Sequence, residues 1–381
     1  MVLNGKGTMR ERTKKSDGIL TALFCLFLGG MLVLFLCLPK EVFSENEKRY
    51  LAEMPTLNWD TVASGRFSEQ AENYTADHLP FRSFFVAINA YLDLYTGRQT
   101  VKDIYVAEGD RLVERPAYDG ENLEKNLGYI NRFVEKIGQP VDVMLVPNAG
   151  YLLEDRIQGR HDPYLDGEYL GHLQEGLTEG AHWVDVTDVL AVDVEKMYYR
   201  TDHHWTSEGA YGAYRAYMLE KGRDALAKEA FAISTVSDFY GSTYSRSALW
   251  LTAGEHLEIW DGGIRASVYI SDDNSQHDGM FFENRLAEAD KYTVFLDGNH
   301  SLVRITNRDG KGKGKLLLIR DSFGNSLAPF LALGYEEVVL VDLRYYKLGI
   351  KELCALEGFD DILILYGLNH FVGDTNLAWL K

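Results

Sequence analysis

Two stretches of this sequence carry side chains whose types and spacing could perform nucleophilic chemistry. The first is YRTDHHWTSEGAY (199–211), where Asp202, His203, His204 and Trp205 are consecutive and precede an apolar helical pattern. Side chains of an extended segment alternate between two faces, so Asp202 and His204 are predicted on one side and His203 and Trp205 on the other. Asp202 can then hold His204, whereas His203 is assigned to structure.

The second stretch supplies a hydroxyl. A carboxylate that accepts the Nδ1 proton of a histidine leaves Nε2 free to take a proton from a nucleophile. Ser322 lies in LLLIRDSFGNSLAPFLALG, where an apolar strand ends and a helix begins, and the free N–H groups of that helix start could hold an oxyanion. Asp321 is predicted to cap or brace the turn. The residues therefore predict a triad of Ser322, His204 and Asp202.

Each stretch also has a plain structural interpretation. An Asp-Ser pair at a strand end is usually a helix cap, and Thr206 or Ser207 could cap the helix EGAYGAYRAYM beside polar loop histidines. Metal-dependent hydrolysis through Asp202, His203 and His204 is a further alternative. Adjacent histidines rarely converge on one ion, and neither HExxH nor CxxC occurs, so no metal is assigned.

An uncharged run of 21 residues, 18–38, is long enough to cross a hydrocarbon layer of about 30 Å as a helix. It exceeds the apolar core of a signal peptide, about 7–15 residues, and no A-x-A-like cleavage site follows, which favours a permanent anchor. Five Lys/Arg residues precede it, so the positive-inside rule assigns residues 1–17 to a cytoplasmic tail. We therefore predict a single-pass protein of the cell membrane whose main domain is extracellular.

The net negative charge of the exported part argues against nucleic acid as a partner. Residues 1–40 carry six Lys/Arg and two Asp/Glu, which leaves 33 basic and 55 acidic side chains beyond them, so nucleic acid is not expected as a partner. Cys25 and Cys37 lie in the anchor, and Cys354 is the only cysteine outside it. The exported domain therefore has no intrachain disulfide, and Cys354 is predicted to pack in the core.

Short apolar runs alternating with helical patterns indicate an α/β domain with a largely parallel sheet flanked by helices, preceded by the transmembrane helix. We predict a juxtamembrane and helical segment at 39–115, with a helix over 84–95, and the α/β domain at 116–381, with an irregular insertion at about 236–313. The predicted strands are VDVMLVP (141–147), HWVDV (182–186), KLLLIR (315–320), EEVVLVD (336–342) and DDILILY (360–366).

These stretches resemble a known family. TDHHWTSEGAY carries the motif of the DHHW proteins, relatives of the alginate O-acetyltransferases in the SGNH hydrolase superfamily. The blocks SENEKRYLAEMP (44–55), GRFSEQAENYTADHLPFRSFF (65–85), VPNAGYL (146–152) and RDSFGNSLAPFL (320–331) are similar to the family's other motifs. The resemblance implies an SGNH-like fold in which Ser322 is the nucleophile, His204 the base and Asp202 the residue that orients it.

The sequence departs from the family pattern around the serine. Arg320 replaces the usual glycine before Asp-Ser, and the common oxyanion Gly and Asn blocks are not evident. Asn325 and Asn369 are candidates for an oxyanion donor, and Arg320 is kept with them as a possible oxyanion or substrate-binding residue.

These observations predict an SGNH-like enzyme that transfers or hydrolyses an acyl group, most simply acetyl, on a cell-surface or secreted glycan, and that needs no cofactor. For a transferase, the resemblance implies a multi-spanning membrane acyltransferase as the acyl donor. The alternative from another class is a non-catalytic glycan-binding or scaffolding protein of the cell envelope with a degenerate SGNH fold, which Arg320 and the missing oxyanion blocks favour.

Overall fold

A computed structural model describes residues 5–97, 100–310 and 312–380, with side chains described from residue 17 onward. The basic side chains of the predicted cytoplasmic tail therefore lie outside the described residues. The chain divides into two compact units, Met1–Asn89 and Ala90–Lys381. Its α-helices are α1 (Gly5–Cys37), α2 (Trp59–Ala63), α3 (Arg66–Asp77), α4 (Arg82–Tyr95), α5 (Gly120–Ile137), α6 (Ala149–Leu152), α7 (Asp166–Gly176), α8 (Thr187–Ala191), α9 (Val194–Met197), α10 (Ser207–Glu220), α11 (Ser242–Ser247), α12 (Phe323–Gly334), α13 (Ile350–Glu357) and α14 (Leu368–Gly373).

Each of the five predicted strands overlaps an observed strand, although residues 184–186 of the run HWVDV lie beyond the end of its strand. In chain order they are β1 (Phe43–Ser44), β2 (Arg49–Tyr50), β3 (Ile104–Ala107), β4 (Arg111–Glu114), β5 (Val141–Val146), β6 (Ala181–Trp183), β7 (Ala232–Phe239), β8 (Glu255–Asp261), β9 (Ala266–Ile270), β10 (Ser275–Asp278), β11 (Leu302–Asn307), β12 (Lys315–Arg320), β13 (Glu337–Val341) and β14 (Asp361–Gly367).

The first unit begins with the apolar helix, whose stretch Asp17–Cys37 is long and apolar enough to cross a membrane. Beyond it, the two N-terminal motif blocks contact each other through ion pairs. Arg49 donates to Asp77 at 2.5 Å, and Glu47 pairs with both Arg49 and Arg82. The hydrogen bond from Arg49 lowers the pKa of Asp77 to about 2. The polar residues of these blocks therefore hold the segment around β2, α3 and α4 together.

The second unit is built on an eight-stranded sheet with the order β10-β9-β11-β13-β12-β14-β5-β6. The pairs β13-β12, β12-β14, β14-β5 and β5-β6 are parallel. In β12, Leu316 and Leu318 face one core with α10 and α12, while Leu317 and Ile319 face a second core with α5, α13 and α14. Both faces are covered, which explains why these strands are continuous apolar runs.

The segment 236–313 is more regular than the predicted irregular insertion. It contributes β9, β10 and β11, which extend the central sheet in antiparallel register beyond β13, and β8, which pairs with β7 in a separate ribbon. These strands are short and contain Ser, Gln, Arg and Thr, so they lack the apolar continuity that marks a strand buried on both faces.

Candidate active site

The DHHW segment forms a tight loop between α9 and α10. A β-bridge joins Tyr198 to Trp205, and the Thr206 side chain caps α10 by accepting the Gly209 N–H at 3.2 Å. Trp205 is fully buried, and its indole N–H donates to Ser326 on α12 at 2.8 Å. The loop is thus fixed at both ends and docked on the helix that follows β12.

Between these fixed ends the chain bends at residues 200–204, so the predicted alternation of side chains between two faces is wrong. The rings of His203 and His204 lie 3.8 Å apart, and both histidines line the same cavity. Nδ1 of His203 lies 2.5 Å from the Ser242 hydroxyl. His203 therefore faces the site, although the sequence assigned it to structure.

Ser322 lies between the end of β12 and the first residue of α12. Its side chain makes no capping hydrogen bond to the helix, so the simple cap interpretation does not describe it. Its Oγ lies instead 2.7 Å from Nε2 of His204, and Nδ1 of His204 lies 2.5 Å from Oδ1 of Asp202. The structure thus brings together three residues separated by up to 120 positions, in the order that proton transfer from a serine requires.

Asp202 is held by backbone donors. Its Oδ1 also accepts the N–H of His204 at 2.9 Å, and its Oδ2 accepts the N–H of Ser242 at 2.6 Å. The ring of Tyr292 stacks on His204 with centroids 4.1 Å apart and planes inclined by 8°. A carboxylate accepts and cannot donate, so His204 donates its Nδ1 proton to Asp202 and presents Nε2 to Ser322.

The cavity in front of Ser322 has a volume of about 490 Å³ and is bounded by residues that follow β5, β12, β13 and β14. Burial lowers the pKa of His203, as expected for a histidine removed from water. For Glu114, burial acts to raise the pKa, but the charges of His203 and Arg246 outweigh it and the pKa falls below its usual value. Glu114 is therefore negatively charged, and it lines the same cavity as His203.

The predicted oxyanion candidates occupy different positions. Arg320 is completely buried and does not line the cavity, whereas Asn325 and Asn369 do. The Asn369 amide is occupied: its Oδ1 accepts the Ala117 N–H at 3.1 Å, and its Nδ2 donates to the Arg115 carbonyl at 3.0 Å. Asn325 is almost fully buried, and its Nδ2 donates one of its two N–H groups to another asparagine side chain.

That asparagine is Asn299, which the sequence analysis did not single out. Its Oδ1 accepts from Arg320 at 2.7 Å and from Asn325 at 3.0 Å, which fixes the orientation of the amide. Within the described part of the chain, neither Nδ2 of Asn299 nor the backbone N–H of Ser322 has an acceptor. Both belong to residues that line the cavity.

Asp202, His203 and His204 could also be considered as metal ligands, because their candidate atoms lie within 4.8 Å of one another. Both ring nitrogens of His204 already have protein partners, as do both oxygens of Asp202. A metal ion would have to displace these hydrogen bonds, so the geometry favours the proton-transfer arrangement.

Family models match the chain in two overlapping regions. Residues 188–341 match the model described as DHHW protein, and residues 104–242 match that of the SGNH hydrolase-like domain of acetyltransferase AlgX. The predicted resemblance to the DHHW proteins is thereby confirmed. The DHHW match includes both the Asp-His-His-Trp loop and Ser322.

Solved structures share the fold. A DHHW family protein from Eubacterium siraeum is 22% identical with a TM-score of 0.61, covering 73% of this chain and 94% of that chain. PatB1 of Bacillus cereus, solved with a sulfonyl adduct, is 17% identical with a TM-score of 0.62, covering 73% and 99%. No curated protein sequence matches. The predicted SGNH-like α/β fold with a largely parallel sheet is confirmed.

Proposed function

We propose that this chain is a membrane-anchored, extracytoplasmic acyltransferase or esterase that moves an acetyl-sized acyl group on a cell-envelope glycan. The observation that carries the proposal is the relay from the Ser322 hydroxyl through His204 to Asp202, with hydrogen-bond distances of 2.7 and 2.5 Å. The matches to an acetyltransferase domain and to the DHHW proteins support it.

In the first half of the reaction, Ser322 Oγ attacks the acyl carbon of the donor while its proton passes to Nε2 of His204. His204 then returns that proton to the departing alcohol oxygen of the donor. Asp202 keeps the Nδ1 proton in place and stabilises the imidazolium while it exists. In the second half, a sugar hydroxyl or water gives its proton to His204 and attacks the acyl-serine, and the proton passes on to Ser322 as the ester bond breaks.

We assign the oxyanion donors to the backbone N–H of Ser322 and to Nδ2 of Asn299. Both lack a protein acceptor in the described residues, and Asn299 is oriented by Arg320 and Asn325. A preorganised donor of this kind contributes about 10²–10³-fold to the rate. Asn299 thus takes the role for which Asn325, Asn369 and Arg320 were the sequence-based candidates.

The location and the partner belong to the same proposal. The apolar stretch Asp17–Cys37 is assigned as a permanent anchor with its N-terminus in the cytoplasm, because its length suits a span better than a cleaved signal. A transferase working outside the membrane needs an activated acyl group delivered there, so a multi-spanning membrane acyltransferase is assigned as the donor.

Covalent labelling tests the function. PatB1 was solved with a sulfonyl adduct, so we choose phenylmethylsulfonyl fluoride as the probe for the full chain in detergent. The expected result is one adduct on Ser322, none in Ser322→Ala, and release of p-nitrophenol from p-nitrophenyl acetate by the wild type only. A folded wild-type protein that neither labels nor hydrolyses the ester would refute the enzyme and leave the glycan-binding alternative.

A further inference from the structure

A second aspartate–histidine pair lies in the same cavity and has no part in the relay described above. Nδ1 of His370 lies 3.1 Å from Oδ2 of Asp321, the residue immediately before Ser322. His370 belongs to α14, which follows β14, and β14 is one of the two strands hydrogen-bonded to β12. One histidine is therefore bonded to the Ser322 hydroxyl, and another lies in the helix that follows a neighbouring strand.

Asp321 holds His370 in a fixed tautomer. Its Oδ1 accepts the Phe323 N–H at 3.0 Å, and its Oδ2 accepts the Gly367 N–H at 2.9 Å, so both oxygens serve as acceptors. A carboxylate of this kind accepts a hydrogen bond from Nδ1–H of His370 and leaves Nε2 as the other functional atom of the ring. Nε2 of His370 has no hydrogen-bond partner in the ranges that the structure describes, and the side chain lines the cavity with 34% of its surface exposed.

We propose that the Asp321–His370 pair is the acceptor subsite of this enzyme, in which Nε2 of His370 binds a ring hydroxyl next to the hydroxyl that attacks acyl-Ser322. The inference rests on the acyl-transfer function proposed above and goes further by naming the acceptor class as a neutral sugar carrying a vicinal diol. His204 remains the base for the attacking hydroxyl.

The choice of a hydroxyl follows from the chemistry of the ring. Burial acts to lower the pKa of His370, but the hydrogen bond and charge of Asp321 outweigh it, so the pKa lies above its usual value. The ring accepts a hydrogen bond at Nε2 when it is neutral and donates one when it is charged. A hydroxyl both donates and accepts, so it can bond to either form, whereas a carbonyl or an ammonium group matches only one.

The transfer of the acyl group from Ser322 to the sugar needs no reactant other than the acyl-enzyme and the sugar. The attacking hydroxyl oxygen forms a bond to the acyl carbon, its proton goes to Nε2 of His204, and the bond from Ser322 Oγ to that carbon breaks. His204 then returns the proton to Ser322 Oγ, which restores the resting enzyme. His370 exchanges no proton in this sequence and only positions the sugar.

A comparison of two acceptors tests the subsite with the full chain in detergent. p-Nitrophenyl acetate supplies the acyl group, and cis-1,2-cyclohexanediol and cyclohexanol compete as acceptors, with the acetylated products measured by chromatography. The wild type is expected to favour the diol about tenfold beyond the twofold statistical factor, as one added hydrogen bond allows. In His370→Leu the preference falls to the statistical factor. The initial burst of p-nitrophenol, measured in the same reaction, reports the acylation of Ser322.

The product ratio separates binding from folding, because a general loss of structure lowers both products together. His370→Gln, which keeps a polar terminal group, is expected to retain part of the diol preference, and His182→Leu, on an exposed residue of β6, to retain all of it. An unchanged ratio in His370→Leu, or a wild type that transfers to neither alcohol, overturns the subsite. Absence of both the wild-type burst and Ser322 labelling refutes the enzyme itself.

Discussion

The absence of a side chain at Gly241 lets the chain pack closely against Asp202. A Cβ atom added at Gly241 would lie 2.2 Å from Cβ of Asp202 and 2.5 Å from its Oδ2. The backbone at Gly241 has φ −85° and ψ −171°, which alanine adopts freely, so steric contact is the only cost of Gly241→Ala. Ordinary carbon contacts need about 3.5–4.0 Å, so Asp202 or the loop must move by more than 1 Å.

A displacement of that size reaches Ser322, the proposed nucleophile, because Asp202 is hydrogen-bonded to His204 and His204 to Ser322. Misplacement by about 1 Å costs on the order of 10²-fold in rate, and we expect Gly241→Ala to lower kcat/KM for p-nitrophenyl acetate by that factor. Overpacking costs about 1–3 kcal/mol of stability, so the variant should still fold. The rate of sulfonyl fluoride labelling should fall in parallel.

The matched control is Gly171→Ala in α7, where an added Cβ meets nothing within 4 Å. This variant should keep full activity and gain up to about 1 kcal/mol from its better helix propensity. If Gly241→Ala is folded, by its thermal unfolding and circular dichroism, and still hydrolyses the ester at the wild-type rate, the close packing behind Asp202 does not position the relay.

Two further predictions concern the aspartates Asp202 and Asp166. Asp202→Asn is expected to lower kcat by about 10³–10⁴-fold with little change in thermal stability, because the amide no longer fixes the His204 tautomer, and ester hydrolysis within tenfold of wild type would contradict the relay. For Asp166, burial raises the pKa to about 7, so the folded state retains a proton that the unfolded state loses above about pH 4. Stability should therefore fall between pH 4 and 7, by at most about 4 kcal/mol, and Asp166→Asn should remove this loss. Urea-unfolding curves of the wild type with the same midpoint at pH 5 and pH 8 would exclude it.

The sequence predicted the parallel half of the sheet and not the antiparallel half. Runs such as VDVMLV and DILILYG are buried on both faces, so hydrophobicity alone marks them as strands. The strands β9 and β10 carry polar residues, and β10 pairs only with β9 at the sheet's edge, so their pairing is decided by neighbours rather than by composition. Such pairing is a tertiary property that a single sequence does not display.

The same distinction applies to the site. Asp202, His204 and Ser322 could be found because their local motifs are short and chemically specific. Asn299 could not, because its availability depends on contacts with residues 21 and 26 positions further along the chain. His203 was misassigned because residues 200–204 bend where an extended segment was assumed.

Arg320 was the main sequence argument for a degenerate, non-catalytic site, because it stands where the resemblance expects glycine. Its side chain is completely buried, and its Nη1 donates to Asn299 at 2.7 Å and to Asp342 at 3.3 Å. A Cβ at Gly324 would lie 2.8 Å from Cβ of Arg320, so the glycine in the first turn of α12 leaves room for the arginine stem.

Burial of this guanidinium costs free energy of folding, because its Nε and Nη2 have no hydrogen-bond partner in the described chain. What it contributes is the orientation of Asn299: by bonding Oδ1, it leaves Nδ2 as the end of the amide that can serve the cavity. Arg320, at the position where the family pattern has glycine, therefore orients the side chain that we propose as an oxyanion donor. The departure from the family pattern that seemed to argue against catalysis no longer does so.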